Sequence, residues 1–158
     1  MDFINVTIRE MEEKDIPSVL EIEGLCFKKT WSKEVFLYEM HDNPYSNPWV
    51  VELSNSNTDN VAIVGYCIYW HTFDSATITR IAVHPEIQRR QLGSAMMDEI
   101  INDCYAKRAQ TLTLEVRKGN TKAVNFYLKH GFEVVTTKAH YYEDGEDALY
   151  MTRKVDLF

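Results

Sequence analysis

The chain has 158 residues, 45% hydrophobic and 26% charged, enough apolar surface to offset the entropy of ordering one domain and too short a chain to suggest several. Its formal net charge of −7 argues against a broad non-specific hold on nucleic acid, which rests on neutralising phosphates, so no direct nucleic-acid binding is expected. The start, MDFINVTIREMEEKD, lacks the basic and then apolar pattern of a secretory signal, and the longest nearly apolar run, Val61–Trp70, has ten residues, too few to cross a bilayer as a helix, so a cytoplasmic protein with no membrane association is expected.

In chain order, the alternating, β-branched FINVTIR of residues 3–9 predicts a first strand. A helix follows over KDIPSVLEIEGLCF, with Asp15 as its cap, Pro17 in its first turn and Gly24 weakening its second half. KKTWSKEVFLYEMHDNP predicts a loop carrying Phe27 and Trp31, then a short helix capped by Ser32 and stopped by Asn43-Pro44. PWVVEL, VAIVGYCIYWHTF and SATITRIAVHP predict three strands, the first two joined by the polar hairpin loop SNSNTDN. Residues 91–109 carry helical periodicity, TLTLEVR a strand, TKAVNFYLKH a helix ended by Gly131, FEVVTTKAHYY a strand and DALYMTRKV a last strand. The expected architecture is one domain, residues 1–158, with a mixed sheet, helices packed on it and a helix-crossed parallel pair in the second half.

The three cysteines, Cys26, Cys67 and Cys104, are widely spaced and form no CxxC or Cys/His ligand pattern, which predicts reduced, mostly buried thiols and no metal. His41, His71, His84, His130 and His140 likewise have no ligand spacing.

The most informative stretch is ITRIAVHPEIQRRQLGSAMMDEII, a strand, a basic turn and an amphipathic helix in immediate succession. The first amides of a helix lack partners within it and lie at the positive end of its dipole, so such a turn suits phosphate oxygens. Arg89 and Arg90 add charge, Gly93 permits close backbone approach, and Ser94 offers a further donor. On these residues alone, an anion site and a plain basic turn before a surface helix both stay open.

Arg80–Ile101 resembles the acetyl-CoA motif of the GCN5-related N-acetyltransferase (GNAT) family, Gln/Arg-x-x-Gly-x-Gly/Ala, here carried by Gln88, Gln91 and Gly93. Gln91 takes the place of the first glycine, so the family geometry requires its side chain to turn away from the diphosphate. The resemblance implies that Ile81, Ala82 and Val83 pair with the pantetheine arm, while Gln88, Arg89, Arg90, Gln91, Leu92, Gly93 and Ser94 form the cofactor turn. LEVRKGNTKAVNFYLKHGFEVV closely resembles the family's LEVRxxNxxAxxxYxxxGF, most of all in RimI-like ribosomal-protein-alanine acetyltransferases. By that resemblance Asn120 and Tyr127 contact acetyl-CoA, Glu115 is the general base and Tyr127 the general acid, with no metal in the reaction. The residue types suit it. An α-amine of pKa about 7.7–8.0 needs only a carboxylate or a water to lose its proton, and a phenol of pKa about 10 can donate to the leaving thiolate. Asn120 and Tyr127 are also seven residues apart, two turns on one helical face.

HYYEDGEDALYM resembles the YYxDGEDAxxM segment of archaeal and RimI-type amino-terminal acetyltransferases, whose loop covers the incoming peptide. Tyr141 and Tyr142 are therefore implied substrate-binding residues, as are Phe27 and Trp31 on the opposite wall, where TWS resembles PWS. Glu143, Asp144, Glu146 and Asp147 form either an ammonium-attracting patch or a solvated turn. The resemblance as a whole implies an α/β (α+β, three-layer) GNAT fold with a mixed sheet of about six to seven strands and about four helices. It implies acetyl transfer to protein or peptide amino termini, ribosomal proteins among them, by a monomer or weak homodimer. A small-amine acetyltransferase and a non-catalytic acyl-CoA-binding module are the alternatives; the two tyrosines and their loop favour a peptide.

Overall fold

The computed structural model describes residues 4–156, apart from the side chains of residues 88–90. The described residues form β1 (Ile4–Glu10), α1 (Ile16–Cys26), α2 (Lys33–His41), β2 (Ser46–Asn55), β3 (Val61–Thr72) and β4 (Ser75–Val83). After these come α3 (Leu92–Ala106), β5 (Thr111–Arg117), α4 (Thr121–Lys129), β6 (Glu133–Lys138) and β7 (Ala148–Lys154). Short 3-10 turns, Glu13–Asp15 and Pro85–Arg90, precede α1 and α3. The strands form a mixed seven-stranded sheet in the order β1-β2-β3-β4-β5-β7-β6. The chain divides into two compact units; of the described residues, 4–70 and 80–99 make up one, and 71–79 and 100–156 the other.

In the first unit β1 runs antiparallel to β2, from Ile4 opposite Asn55 to Glu10 opposite Trp49, and β2 runs antiparallel to β3 with a bulge at Val51/Glu52. Val19, Ile22, Phe36, Val50, Tyr66, Ile68 and Ala82 share one core cluster. Full burial of each large aliphatic side chain stabilises by about 1.5–3 kcal/mol. A Cβ at Gly65 would lie 3.0 Å from the Ala82 carbonyl oxygen, so glycine is what lets β3 approach β4 at this point.

The expected Asp15 cap is not formed. The Asp15 side chain makes no capping bond to α1; its carboxylate instead accepts from Arg9 Nη1 at 2.8 Å and Nη2 at 2.9 Å, and from the Glu12 amide at 2.8 Å. A bidentate guanidinium outcompetes a single amide for a buried carboxylate. Ser32 does cap α2, its Oγ accepting from the Val35 amide at 3.4 Å. Helix α1 also runs through Gly24 unbroken, its inner face held by the buried Ile16, Val19 and Ile22.

In the second unit the first half of β4 pairs in parallel with β5, from Ser75 opposite Thr111 to Ile78 opposite Leu114, the helix-crossed pair that the sequence predicts, with α3 as the crossover. β5 pairs antiparallel with β7, placing Glu115 opposite Tyr150, and β7 pairs antiparallel with β6. Ile100, Ile101, Leu112, Leu114, Phe132 and Met151 are buried. A helix and a strand are shorter than the sequence predicts. The helix predicted over 91–109 begins at Leu92 and ends at Ala106, because Gln91 and Arg108 both take left-handed conformations. The strand predicted over 132–142 ends at Lys138, where its partner β7 begins at Ala148. Beyond it the His140 amide donates to Asp147 Oδ1 at 2.9 Å, closing a loop in place of a ladder.

Candidate active site

In the first unit, Ile81, Ala82 and Val83 finish β4, with Ala82 and Val83 buried. The chain then enters the Pro85–Arg90 turn, where His84 Nδ1 accepts from the Glu86 amide at 3.3 Å. Gln91 closes this turn at φ 56, ψ 28, a left-handed conformation that glycine adopts freely and other residues adopt at a cost. Gln91 thus stands in a conformation that favours glycine, and its side chain is exposed. Helix α3 opens directly after it, with the Ala95 amide bonded to the Gln91 carbonyl at 3.1 Å and Leu92 buried. Gly93 and Ser94 lie in the first turn, whose amides give the donor set that a diphosphate requires. The side chains of Gln88, Arg89 and Arg90 lie outside the described residues.

Phe27 and Trp31 meet around a group that the sequence reading missed. The Arg80 guanidinium centre sits 4.0 Å from the Phe27 ring centroid and 4.6 Å from that of Trp31. Its Nη2 donates to Glu23 Oε2 at 3.1 Å and to the Lys29 carbonyl at 3.1 Å. Glu23 is fully buried; its carboxylate also accepts from the Trp31 amide at 2.7 Å and from the Tyr66 hydroxyl. Burial, reinforced by the Glu23 charge, holds the Tyr66 phenol far above its ordinary value, so its proton stays on. A signal was present: Glu23 follows Val19 by four residues on the buried face of α1, where an ionised group needs a partner.

In the second unit, Glu115 projects from β5. Its Oε1 accepts from Lys138 Nζ at 2.7 Å. Among the described residues its Oε2 is a buried oxygen that accepts no hydrogen bond of ordinary geometry. Lys138 Nζ also lies 5.4 Å from the Tyr141 ring and 5.2 Å from that of Tyr150. Interaction with the Glu115 carboxylate, and then burial, pushes the Tyr141 phenol up to about 12. Tyr141 and Tyr142 meet edge to face at 5.0 Å. Tyr127 is buried in α4 between Phe126 at 5.4 Å and Phe132 at 5.7 Å. Burial, with Tyr142 as the lesser cause, raises its phenol well above the ordinary range, so it stays protonated and is a hydrogen-bond donor.

Asn120 does not occupy the helical face expected of it. It is the N-cap of α4, its Oδ1 accepting from the Ala123 amide at 3.2 Å, because an asparagine preceding a helix satisfies an amide that the helix leaves free. The acidic loop is no loose patch either. Arg117 Nη1 binds Asp144 Oδ2 at 2.9 Å and Glu146 Oε1 at 2.9 Å, and its guanidinium stacks 4.0 Å from the Tyr142 ring. The Gly119 amide donates to Glu146 Oε2 at 2.9 Å. These contacts pin the loop that presents Tyr141 and Tyr142.

Cys26, Cys67 and Cys104 are not joined in disulfides. Among the described residues no cluster of His, Cys, Asp and Glu has a metal-holding arrangement, and no helix is long and apolar enough to cross a membrane.

The family model for the acetyltransferase (GNAT) family matches residues 16–132. A Bacillus subtilis (strain 168) protein provisionally named a ribosomal protein bS18-alanine N-acetyltransferase is 37% identical over 145 residues, 91% of this chain and 92% of that protein. The ribosomal protein bS18-alanine N-acetyltransferase of Escherichia coli (strain K12) is 32% identical over 154 residues, 96% of this chain and 99% of its own. Among solved structures, Ard1 from Thermoplasma volcanium is similar with a TM-score of 0.83 at 29% identity, covering 96% of this chain and 99% of that one.

Proposed function

The chain belongs to the acetyltransferase (GNAT) family and is an acetyl-CoA-dependent N-acetyltransferase, and from that premise we propose that Glu115 and Tyr127 catalyse acetyl transfer to the α-amino group of a protein's first residue. Acetyl-CoA supplies the activated acetyl group as a thioester. Residues 81–83 and the turn through Gly93 and Ser94 hold it; a left-handed Gln91 followed at once by a helix start suits a diphosphate.

The observation that carries the assignment of roles is the contrast between two titratable groups of one unit. Glu115 has Oε1 held by Lys138, while its buried Oε2 accepts no hydrogen bond of ordinary geometry and the carboxylate interacts with the Tyr141 phenol. Tyr127 is a buried phenol that keeps its proton. From the neutral amine, the nitrogen forms a bond to the acetyl carbon as Glu115, directly or through one water, takes one of its protons; the carbon–sulfur bond breaks; Tyr127 supplies a proton to the departing thiolate; and the proton held by Glu115 returns through solvent to restore Tyr127. Tyr141 and Tyr142, fixed by Arg117 and its acidic partners, are the acceptor-binding residues of their unit, and Phe27 and Trp31 those of theirs. Ribosomal proteins are the first acceptors to try, since both relatives described above are named for one. Residues 1–158 act as one acetyltransferase domain in the cytoplasm.

Release of free CoA, measured with short peptides of varied first residue and with spermidine, tests this. Turnover on peptides with blocked products at the α-nitrogen is expected. Turnover on spermidine with none on any peptide would overturn the choice of acceptor and leave the acetyl transfer in place.

A further inference from the structure

We propose that Arg80 and Glu23 are positioning residues for the acceptor peptide, locking the Phe27–Trp31 segment into one receiving surface; this rests on the N-terminal acetyltransferase reading. The segment leaves α1 after Cys26 and enters α2 at Lys33, with no secondary structure of its own and with Lys28, Lys29 and Thr30 exposed. Such a connection ordinarily samples several conformations. Here three contacts hold it. The Trp31 amide donates to Glu23, the Lys29 carbonyl accepts from Arg80, and the Phe27 and Trp31 rings both face the Arg80 guanidinium.

The lock has a rigid base. Glu23 is buried, and Arg80, the Trp31 amide and the Tyr66 hydroxyl all donate to its carboxylate. Phe36 backs the assembly, 5.6 Å from Trp31 and 5.7 Å from Tyr66. Arg80 immediately precedes Ile81 on β4, the segment proposed to hold the pantetheine arm. A single side chain thus joins the strand that carries the donor to the loop that receives the acceptor. Lysine cannot replace it. A point charge on a flexible stem neutralises Glu23 but neither forks between Glu23 and Lys29 nor lies flat against two rings.

Two variants test the lock, Arg80→Lys and Glu23→Gln, each read in two ways. Hydrogen exchange of the Trp31 amide is expected to quicken about tenfold or more, with exchange in β5 and β7 unchanged. Steady-state kinetics are expected to show the peptide KM rising about tenfold to a hundredfold, with the acetyl-CoA KM and kcat within about threefold. Unchanged Trp31 exchange in both variants would overturn the proposal, as would faster exchange with an unaltered peptide KM or an equal rise in both KM values. If the wild-type protein acetylates no peptide, the choice of acceptor fails, and the exchange measurement alone still decides whether Arg80 and Glu23 hold the segment.

Discussion

Lys138 Nζ lies 2.7 Å from Glu115 Oε1, tying one carboxylate oxygen of β5 to the end of β6, while Oε2 stays buried and accepts no hydrogen bond of ordinary geometry. The pair therefore orients Glu115 without consuming it. Glu115→Gln is expected to lower kcat/KM on a peptide by about a hundredfold or more. Lys138→Met is expected to cost about tenfold and Lys138→Arg to recover most of that. The lysine and glutamate side chains are 41% and 27% exposed, so none of the three changes should alter stability by more than about 1 kcal/mol. Wild-type turnover in Glu115→Gln would remove it as the base.

Tyr127 sits edge-on to Phe126 and Phe132, contacts that a phenylalanine in its place keeps. Tyr127→Phe is expected to lower kcat by about a hundredfold with the acetyl-CoA Kd within about threefold. Pre-steady-state acetyl transfer and calorimetric binding of CoA separate the two effects.

The loop bearing Tyr141 and Tyr142 depends on a glycine outside it. A Cβ at Gly119 would lie 2.5 Å from Glu146 Oε2, the oxygen that accepts from the Gly119 amide. Gly119→Ala is expected to push Glu146 from its place, weaken the grip of Arg117 and raise the peptide KM about tenfold at little cost in stability. A tryptic digest under native conditions should then show faster cleavage after Lys138. Identical KM values in the two proteins would refute the role given to the clamp.

Gln91 holds φ 56 without glycine's freedom. Gln91→Gly relieves that conformation but loosens the unfolded chain, so the expected gain is at most about 1 kcal/mol. Gln91→Val, β-branched, is expected to lose about 1 kcal/mol or more and to weaken CoA binding by displacing the turn. Urea unfolding and calorimetry of CoA binding read both; indifference to valine would show that the turn is not held left-handed.

Burial, with a smaller contribution from Asp103, pushes the Cys104 thiol up to about 12, and Cys67 and Tyr127 are raised in the same direction, chiefly by burial. The unfolded chain loses these protons first as pH rises. The stabilisation is therefore complete below the unfolded values and is lost as pH climbs toward the folded ones. For Cys104 this predicts a fall of about 1.4 kcal/mol per pH unit from near pH 9 to about 12. Cys104→Ala should be less stable at pH 7 and show a shallower alkaline slope in urea titrations. An unchanged slope would exclude the thiol.

The elements written in local patterns stand close to where the sequence places them. Thr111–Arg117 is a strand at both predicted ends, Ser32 caps α2, Gly131 ends α4 at φ 86, and α3 crosses between parallel β4 and β5. Periodicity, caps and left-handed stops act within a few residues, so a linear reading finds them. The family motif likewise singled out Glu115, Tyr127, Tyr141 and Tyr142 as candidates for the chemistry. What the tertiary structure alone decided is how those residues are held. Glu23 meets Arg80 across 57 positions, Glu115 meets Lys138 across 23, and Arg117 meets Glu146 across 29. Asp15 and Asn120, both legible as polar residues at helix starts, parted ways for the same reason. Nothing displaced the cap at Asn120, whereas Arg9 drew Asp15 into an ion pair. A buried charge takes the partner that the fold brings within hydrogen-bond reach, and no local rule states which one that will be.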